Sequence, residues 1–190
     1  MNKDDIIREE IIIAAKRVFR KWGLKKATME DIAAEAGKAK STLYYYYQSK
    51  EEIFDEAIFA HLAMILADTK AGVVDVRPVK EKIKRYVAAS LTEMKRHAQD
   101  YSLVWEEIKG NQRLLRKLQE HLQAEERLFY LDVLQSGAQS GEFIFATEKE
   151  LISAAHTLAG IMRALFLYLF LEAEESEQID ITARLIANGI

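Results

Sequence analysis

The stretch Thr28–Lys50, TMEDIAAEAGKAKSTLYYYYQSK, constrains the fold more than any other part of the chain. Met29, Ile32, Ala33 and Ala36 recur at i, i+3, i+4 and i+7, the spacing that puts apolar side chains on one face of a helix. Thr28 stands where an N-cap belongs. Asp31, three positions on, makes a near capping box with Asp in place of the preferred Glu or Gln. Gly37 supplies the backbone freedom of a tight turn, and a second short helix starts near Lys40 and carries Leu43. Two short helices joined by a glycine turn make a helix-turn-helix over about 28–47, a unit whose second helix suits the DNA major groove. No segment of useful length alternates with period two, so the sequence predicts an all-α chain.

The second helix carries side chains fitted to a duplex. Lys40, Ser41 and Thr42 stand at its N-terminal end, where a reading helix meets base edges and where free N–H groups favour phosphate. Tyr44, Tyr45 and Tyr46 add flat rings and hydroxyls that match thymine methyls and backbone oxygens. Four consecutive tyrosines fan out around a helix and cannot all face inward. Tyr47 lies four residues after Leu43 and is the one expected in the core; Tyr44 and Tyr45 are expected to face the groove. The opposing view makes all four the core and surface of a small helical subdomain. Thr28 and Lys50 complete the expected DNA-contact set. Lys50 is a cation at a helix start, unfavourable for the dipole, and a phosphate contact would explain it.

From Ile11 to Phe54 the chain resembles the DNA-binding domain of the TetR family of bacterial transcription regulators. The matching residues are Ile11-x-x-Ala14-Ala15-x-x-x-Phe19-x-x-x-Gly23, then Thr28-Met-x-Asp31-Ile32-Ala33-x-x-Ala36-Gly37. They continue through Lys40-Ser-Thr-Leu-Tyr44-x-Tyr46-Tyr47 and Ser49-Lys50-Glu-Glu-Ile53. Lys38 departs from the small apolar residue usual there, and Tyr47 from the usual Phe. Lys38 could bury its stem with its amine in water, or add a phosphate contact. The resemblance implies a three-helix DNA-binding head, a larger helical body that binds a small-molecule effector and dimerises, and a transcriptional regulator, most simply a repressor.

Charge divides along the same line. Residues 1–50 hold 11 Lys+Arg against 7 Asp+Glu, or +4, whereas residues 51–190 hold 16 against 23, or −7. A basic head on an acidic body is the asymmetry expected if only the head (1–50) meets phosphate and the body (51–190) does other work. Cysteine is absent, which excludes disulfides and thiol chemistry and fits a cytoplasmic protein. The charged start, MNKDDIIREE, has no signal-peptide pattern.

The first helix is read over about 4–22, with Ile11, Ala14, Ala15, Val18, Phe19 and Trp22 as its apolar stripe and Gly23 ending it. Arg17 and its neighbours suit the helix dipole there, or a DNA backbone. Ser49, with Glu52, is expected to cap a fourth helix to about Thr69. Gly72 and Pro78 mark a boundary, with Pro78 as the N1 residue of a helix over 78–97. Helices over 100–109, 112–139, 148–172 and 179–188 follow, Thr147 with Glu150 capping the one at 148. Ala159 and Gly160 would let another backbone approach. The run Leu158–Leu171, broken by Arg163, is too short for a membrane span and reads as buried.

A groove reader covers one half-site, and a two-fold dimer supplies the second on a palindromic operator. Helices 112–139 and 148–172 are the expected homodimer interface; the alternative is that they fill a monomer core. The resemblance implies an effector pocket among the middle helices. Its candidates are Phe59, Met64, Tyr86, Met94, His97, Tyr101, Trp105 and Tyr130, aromatic and Met side chains that suit an apolar ligand. No catalytic residue, metal site or cofactor is expected. The four histidines lack metal-ligand spacing, there is no Gly-rich phosphate loop, and no nucleophile elbow appears. Glu106-Glu107 and Glu125-Glu126 read as solvated faces.

Overall fold

The structure, a computed structural model, describes residues 2–169 and 177–188. Its regular elements are all helices: α1 Lys3–Lys26, α2 Met29–Ala36, α3 Lys40–Tyr46, α4 Lys50–Ala71, α5 Val79–Asp100, α6 Ser102–Lys109, α7 Gln112–Gln139, α8 Glu148–Leu167 and α9 Glu177–Asn188. Of the helix expected over 148–172, residues 170–172 lie outside the described residues. The chain forms two compact units, Met1–Met64 with His97–Leu114, and Ile65–Arg96 with Leu115–Ile190. The division does not fall at residue 50. The unit that holds α1–α3 also takes most of α4 and all of α6.

In the first unit, α1 starts at a capping box additional to those expected. The Asn2 side chain accepts the Asp5 N–H at 2.8 Å, and the Asp5 carboxylate accepts the Asn2 N–H at 2.9 Å. At the other end Gly23 adopts φ 69°, ψ 173° and breaks the helix one residue after Trp22. A side chain there would be strained by the positive φ, and its Cβ would lie 3.0 Å from the Glu107 carboxylate. Trp22 is not part of the buried stripe: it is 47% exposed, with the Lys21 ammonium 4.7 Å from its ring centroid. The buried face is Ile11, Ile12, Ala14, Ala15, Val18 and Phe19, and the Phe19 ring meets Phe54 edge to face at 4.9 Å. Each large side chain fully buried here contributes about 1.5–3 kcal/mol. Ser49 accepts the Glu52 N–H at 3.2 Å, while Glu52 reaches back one residue further than expected, to the Gln48 N–H at 2.7 Å.

In the second unit, α5 begins one residue later than expected. Pro78 is the residue before the helix, its carbonyl accepting from Glu81 and Lys82. The Val79 N–H is capped from far along the chain by the Glu142 carboxylate at 2.7 and 2.9 Å. The core gathers Tyr86, Tyr130, Leu134, Ala155, Ala159 and Met162, with Tyr86 stacked on Phe129 at 3.8 Å. Leu114, Leu118, Leu122, Glu126, Tyr130 and Leu134 recur every four residues along α7 and are all buried. Glu126 therefore occupies a core position, which corrects its reading as a solvated face. One carboxylate oxygen accepts the Tyr86 hydroxyl at 2.7 Å. Its neighbour Glu125 is half-buried and pairs with Lys70 at 3.1 Å.

Burial pushes the Glu126 carboxyl up from its ordinary 4.5 to about 7. The folded chain thus holds this proton over an interval in which the unfolded chain has released it. The group's stabilising contribution is full below about pH 4.5 and is lost as pH rises through 7, a change of about 3 kcal/mol. Chemical denaturation of the wild-type chain is expected to show stability falling between pH 5 and 7.5, and Glu126→Gln is expected to flatten that fall.

Candidate nucleic-acid interface

The helix-turn-helix is built as its sequence dictates. Thr28 Oγ1 accepts the Asp31 N–H at 3.1 Å, and the Asp31 carboxylate accepts the Thr28 N–H at 2.9 Å and its hydroxyl at 2.6 Å. The Thr28 hydroxyl thus already works inside the cap, at an exposed position. Met29, Ile32 and Ala33 are buried, Ala36 half-buried, and Gly37 turns the chain at φ 63°, ψ 32°. α3 follows from Ala39, which provides no side-chain cap.

Two residues lock α3 and set which of its faces is free. Leu43 is 0% and Tyr47 1% exposed, and the Tyr47 hydroxyl donates to Glu56 at 3.0 Å. The tyrosines then separate by position. Tyr45 is 76% and Tyr44 49% exposed, so both rings stand outward. Tyr46 is half-buried: its hydroxyl donates to Asp4 at 2.7 Å, and the Arg8 guanidinium lies 5.5 Å from its ring. That hydrogen bond to a carboxylate pushes the Tyr46 phenol up to about 12. Of the three tyrosines expected at DNA, Tyr46 is thus the one already engaged within the protein. Lys40 and Ser41 are exposed and Thr42 is half-buried at the start of the helix. The Lys40 ammonium pairs with Glu30 on α2 and sits 5.6 Å from the Tyr44 ring.

The other cations near this face also have intramolecular partners. Arg17 pairs with Glu35 at 3.2 Å, and Lys38 with Glu10 at 2.7 Å. The Lys38 pair bridges the turn after α2 to α1, a partner that neither expectation for this residue included. Lys50 is the largest departure. Its ammonium donates to the carbonyls of Leu24 at 2.7 Å, Ala27 at 2.9 Å and Lys25 at 3.4 Å, so its three protons face the corner between α1 and α2. A cation is kept at the start of α4 to satisfy those carbonyls. The same corner holds a residue that sequence reasoning assigned to a solvated face. Glu107 of α6 accepts the Leu24 N–H at 2.5 Å and the Lys25 N–H at 2.9 Å. Glu106 does stay exposed, paired with Lys109.

The eight effector candidates divide between the two units. Phe59, Met64, His97, Tyr101 and Trp105 belong to the first unit; Tyr86, Met94 and Tyr130 belong to the second. Met64 is 44% exposed, and His97 meets His61 at 3.1 Å beside Tyr101. Tyr86 and Tyr130 are wholly buried in the core. A cavity of about 40 Å³ lies within the second unit, and of the eight it is lined only by Met94.

The family model described as bacterial regulatory proteins, tetR family, matches residues 11–57. The HTH-type transcriptional repressor KstR2 of Mycobacterium tuberculosis is 28% identical over 140 residues, 72% of this chain and 68% of that protein. A TetR-family transcriptional regulator from Mesorhizobium loti superposes with TM-score 0.66 at 16% identity, over 99% of this chain and 96% of that one. The transcriptional regulator FadR of Bacillus subtilis, solved in complex with stearoyl-CoA, superposes with TM-score 0.59 at 20% identity over 96% and 98%. The matched span 11–57 takes in α2, α3 and the start of α4.

Lys50 gives the sharpest test of this geometry. Lys50→Met keeps the stem and removes the three donors, leaving carbonyls of the corner unsatisfied at about 1–3 kcal/mol. A melting temperature lowered by several degrees is expected, with the salt dependence of duplex binding unchanged. A phosphate contact would instead leave melting alone and reduce the salt slope by about 1.

Proposed function

This chain belongs to the TetR family of bacterial regulatory proteins and is a DNA-binding transcriptional regulator, and we propose that it acts as a repressor docked on a palindromic operator through α3 and released by a small-molecule effector. The observation that carries the reading is the splitting of the tyrosine run. Leu43 and Tyr47 fix α3 from beneath, so Tyr44 and Tyr45 project outward beside Lys40 and Ser41. Base edges and thymine methyls are met by the tyrosine rings, Ser41 and Thr42. Lys40 exchanges Glu30 for a phosphate, a cheap exchange between exposed groups. Thr28 and Tyr46 sit at the margin of the contact, each with its hydroxyl already bonded inside the head. Lys50 acts by positioning the corner behind it. An operator as target places the protein in the cytoplasm.

One head reads a half-site, so a second copy is required for a palindrome. Support for a homodimer comes from α8. Glu148–Leu167 has the length and apolar content of a membrane span, yet only 28% of its most apolar window is buried within this chain. Ile152, Ile161 and Tyr168 are exposed at 39%, 55% and 52%. Gly160 faces open space, where a glycine helps only if another backbone comes close. On α7, Leu128 is likewise exposed, at 56%. A second copy of the same face covers these side chains by two-fold symmetry. Effector response is supported by the fold: the B. subtilis FadR structure of the same architecture holds stearoyl-CoA.

Selection of bound sites from random DNA, followed by titration, tests the reading. Tyr44→Ala is expected to weaken the selected palindrome by about 1–3 kcal/mol while sparing unrelated duplex; equal loss on all sequences would contradict groove readout. Light scattering is expected to give twice the chain mass at micromolar concentration. Ile161→Asp, at a site exposed in the single chain, is expected to halve that mass without unfolding it, and a monomeric wild type would sink the dimer.

A further inference from the structure

The helix proposed to read DNA carries one cation, and that cation is held by an acid from another helix. α3, KSTLYYY, has no acidic residue of its own. The Lys40 ammonium at its start pairs with the Glu30 carboxylate in the first turn of α2. Their side chains are 50% and 58% exposed, so the pair stands in solvent, with the Tyr44 ring centroid 5.6 Å from the ammonium. The hydrogen bond between them holds the Glu30 carboxyl below its ordinary value and the Lys40 ammonium above, so both groups stay charged together. Asp4 of α1 takes the Tyr46 hydroxyl at 2.7 Å in the same way. Two donors of α3 thus already hold carboxylates, the side-chain groups that most resemble a phosphate oxygen.

We infer that Glu30 is a specificity-determining residue that makes Lys40 a conditional cation: an unrelated duplex meets a neutral pair, and only a duplex seated against α3 receives the charge. The inference rests on the reading of α3 as the docking helix. A loosely held duplex attracts charge through water, over a screening length of about 8 Å at physiological salt. Across that distance an ammonium and a carboxylate in contact cancel, so Lys40 adds nothing to non-specific affinity. Seating the helix changes the comparison. A phosphate oxygen then comes within hydrogen-bond distance and offers a fixed, charge-assisted contact, whereas an exposed ion pair is weak and screened by salt. The exchange goes forward in the seated complex and fails in the loose one. Each phosphate neutralised releases about 0.9 of a counterion, so the operator complex counts Lys40 in its salt dependence and the loose complex does not. Glu30 acts by withholding attraction from wrong partners, which is selectivity without a base contact.

The test titrates the full chain with the selected palindrome and with an unrelated duplex of equal length, from about 50 to 200 mM salt. Glu30→Gln is expected to steepen the salt slope on the unrelated duplex by about 1 and to leave the operator slope unchanged. Its affinity for the unrelated duplex then falls about threefold further than the wild type's over that range. Lys40→Gln is expected to do the complement, making the operator slope shallower by about 1 and leaving the unrelated slope unmoved. In the double variant the unrelated slope returns to that of the wild type. Melting of each variant checks folding, and should Glu30→Gln fail to fold, Lys40→Gln on the two duplexes decides alone. Equal steepening of both slopes by Glu30→Gln marks a plain net-charge effect. Lowered melting with no slope moved marks a mere tie between α2 and α3. An equal loss of slope on both duplexes in Lys40→Gln shows the ammonium free in the loose complex. Any of these three overturns the inference and leaves α3 docking intact. Tyr44→Ala weakening all sequences alike defeats the docking itself, and the inference with it.

Discussion

Between Gly23 and Ala27 the backbone presents polar groups that neither helix can satisfy, and two opposite charges take them up. The break at Gly23 frees the N–H groups of Leu24 and Lys25, which donate to Glu107. The end of α1 leaves carbonyls without intrahelical partners, and Lys50 donates to those of Leu24, Lys25 and Ala27. Orphaned groups of this kind cost about 1–3 kcal/mol each when buried, so the corner has one cheap conformation. That conformation fixes where α2 begins, since Thr28 caps it one residue later. α2 in turn delivers Gly37 and the start of α3. The corner thus fixes where α2 starts, and the buried Leu43 and Tyr47 then set which face of α3, with Tyr44 and Tyr45, is left free.

The same accounting sorts the cations of the head into two kinds. Arg17 and Lys40 are 68% and 50% exposed, and their partners Glu35 and Glu30 are exposed too. Exposed pairs are worth about 0–1 kcal/mol and give way readily to a polyanion. Lys50, by contrast, has its protons committed to backbone carbonyls, which cannot follow it outward. Lys38, 29% exposed against Glu10, lies between these cases and ties the turn to α1. A net charge of +4 over residues 1–50 therefore overstates the charge available to a duplex. The exposed pairs that can be exchanged include Arg17 on α1 and Lys40 on α3.

Local signals in the sequence are legible because their partners lie within four residues. Thr28 with Asp31, Ser49 with Glu52 and Thr147 with Glu150 all cap helices, and Gln112–Gln139 has the bounds that Gly110 and Gly141 imply. The burial of Tyr47 beneath an outward Tyr44 and Tyr45 follows from its spacing to Leu43. Glu107 is not legible: its partners are 83 and 82 residues away, and a surface-type residue gives no sign of distant backbone N–H groups. Lys50 misleads for a related reason, because its partners at Leu24 and Ala27 belong to another helix end. Glu126 sends two opposing signals. Its place in the four-residue series from Leu114 to Leu134 marks a core position, whereas its residue type and its acidic neighbour point to solvent, and register prevails. The effector candidates fall in both units, since an aromatic residue type does not say which unit will enclose it.

The two long helices α7 and α8 leave a single chain incomplete in two ways. Outside, Leu128, Ile161 and Tyr168 stay in water although burial would favour each by about a kcal/mol or more. Inside, Glu126 holds a buried oxygen with no hydrogen-bond partner among the described residues. Neither feature is needed to fold a helical body; an Ala or Leu at position 126 would fill the core at lower cost, as buried ionic groups generally can be replaced. A molecule that binds the folded form alone adds RT ln(1 + [L]/Kd) to its stability, and a partner that covered Leu128, Ile161 and Tyr168 would act on this body in that way. Cavity-lining Leu66 and Met94 lie on α4 and α5, and those helices also contribute Phe54 and His97 to the unit that carries α3.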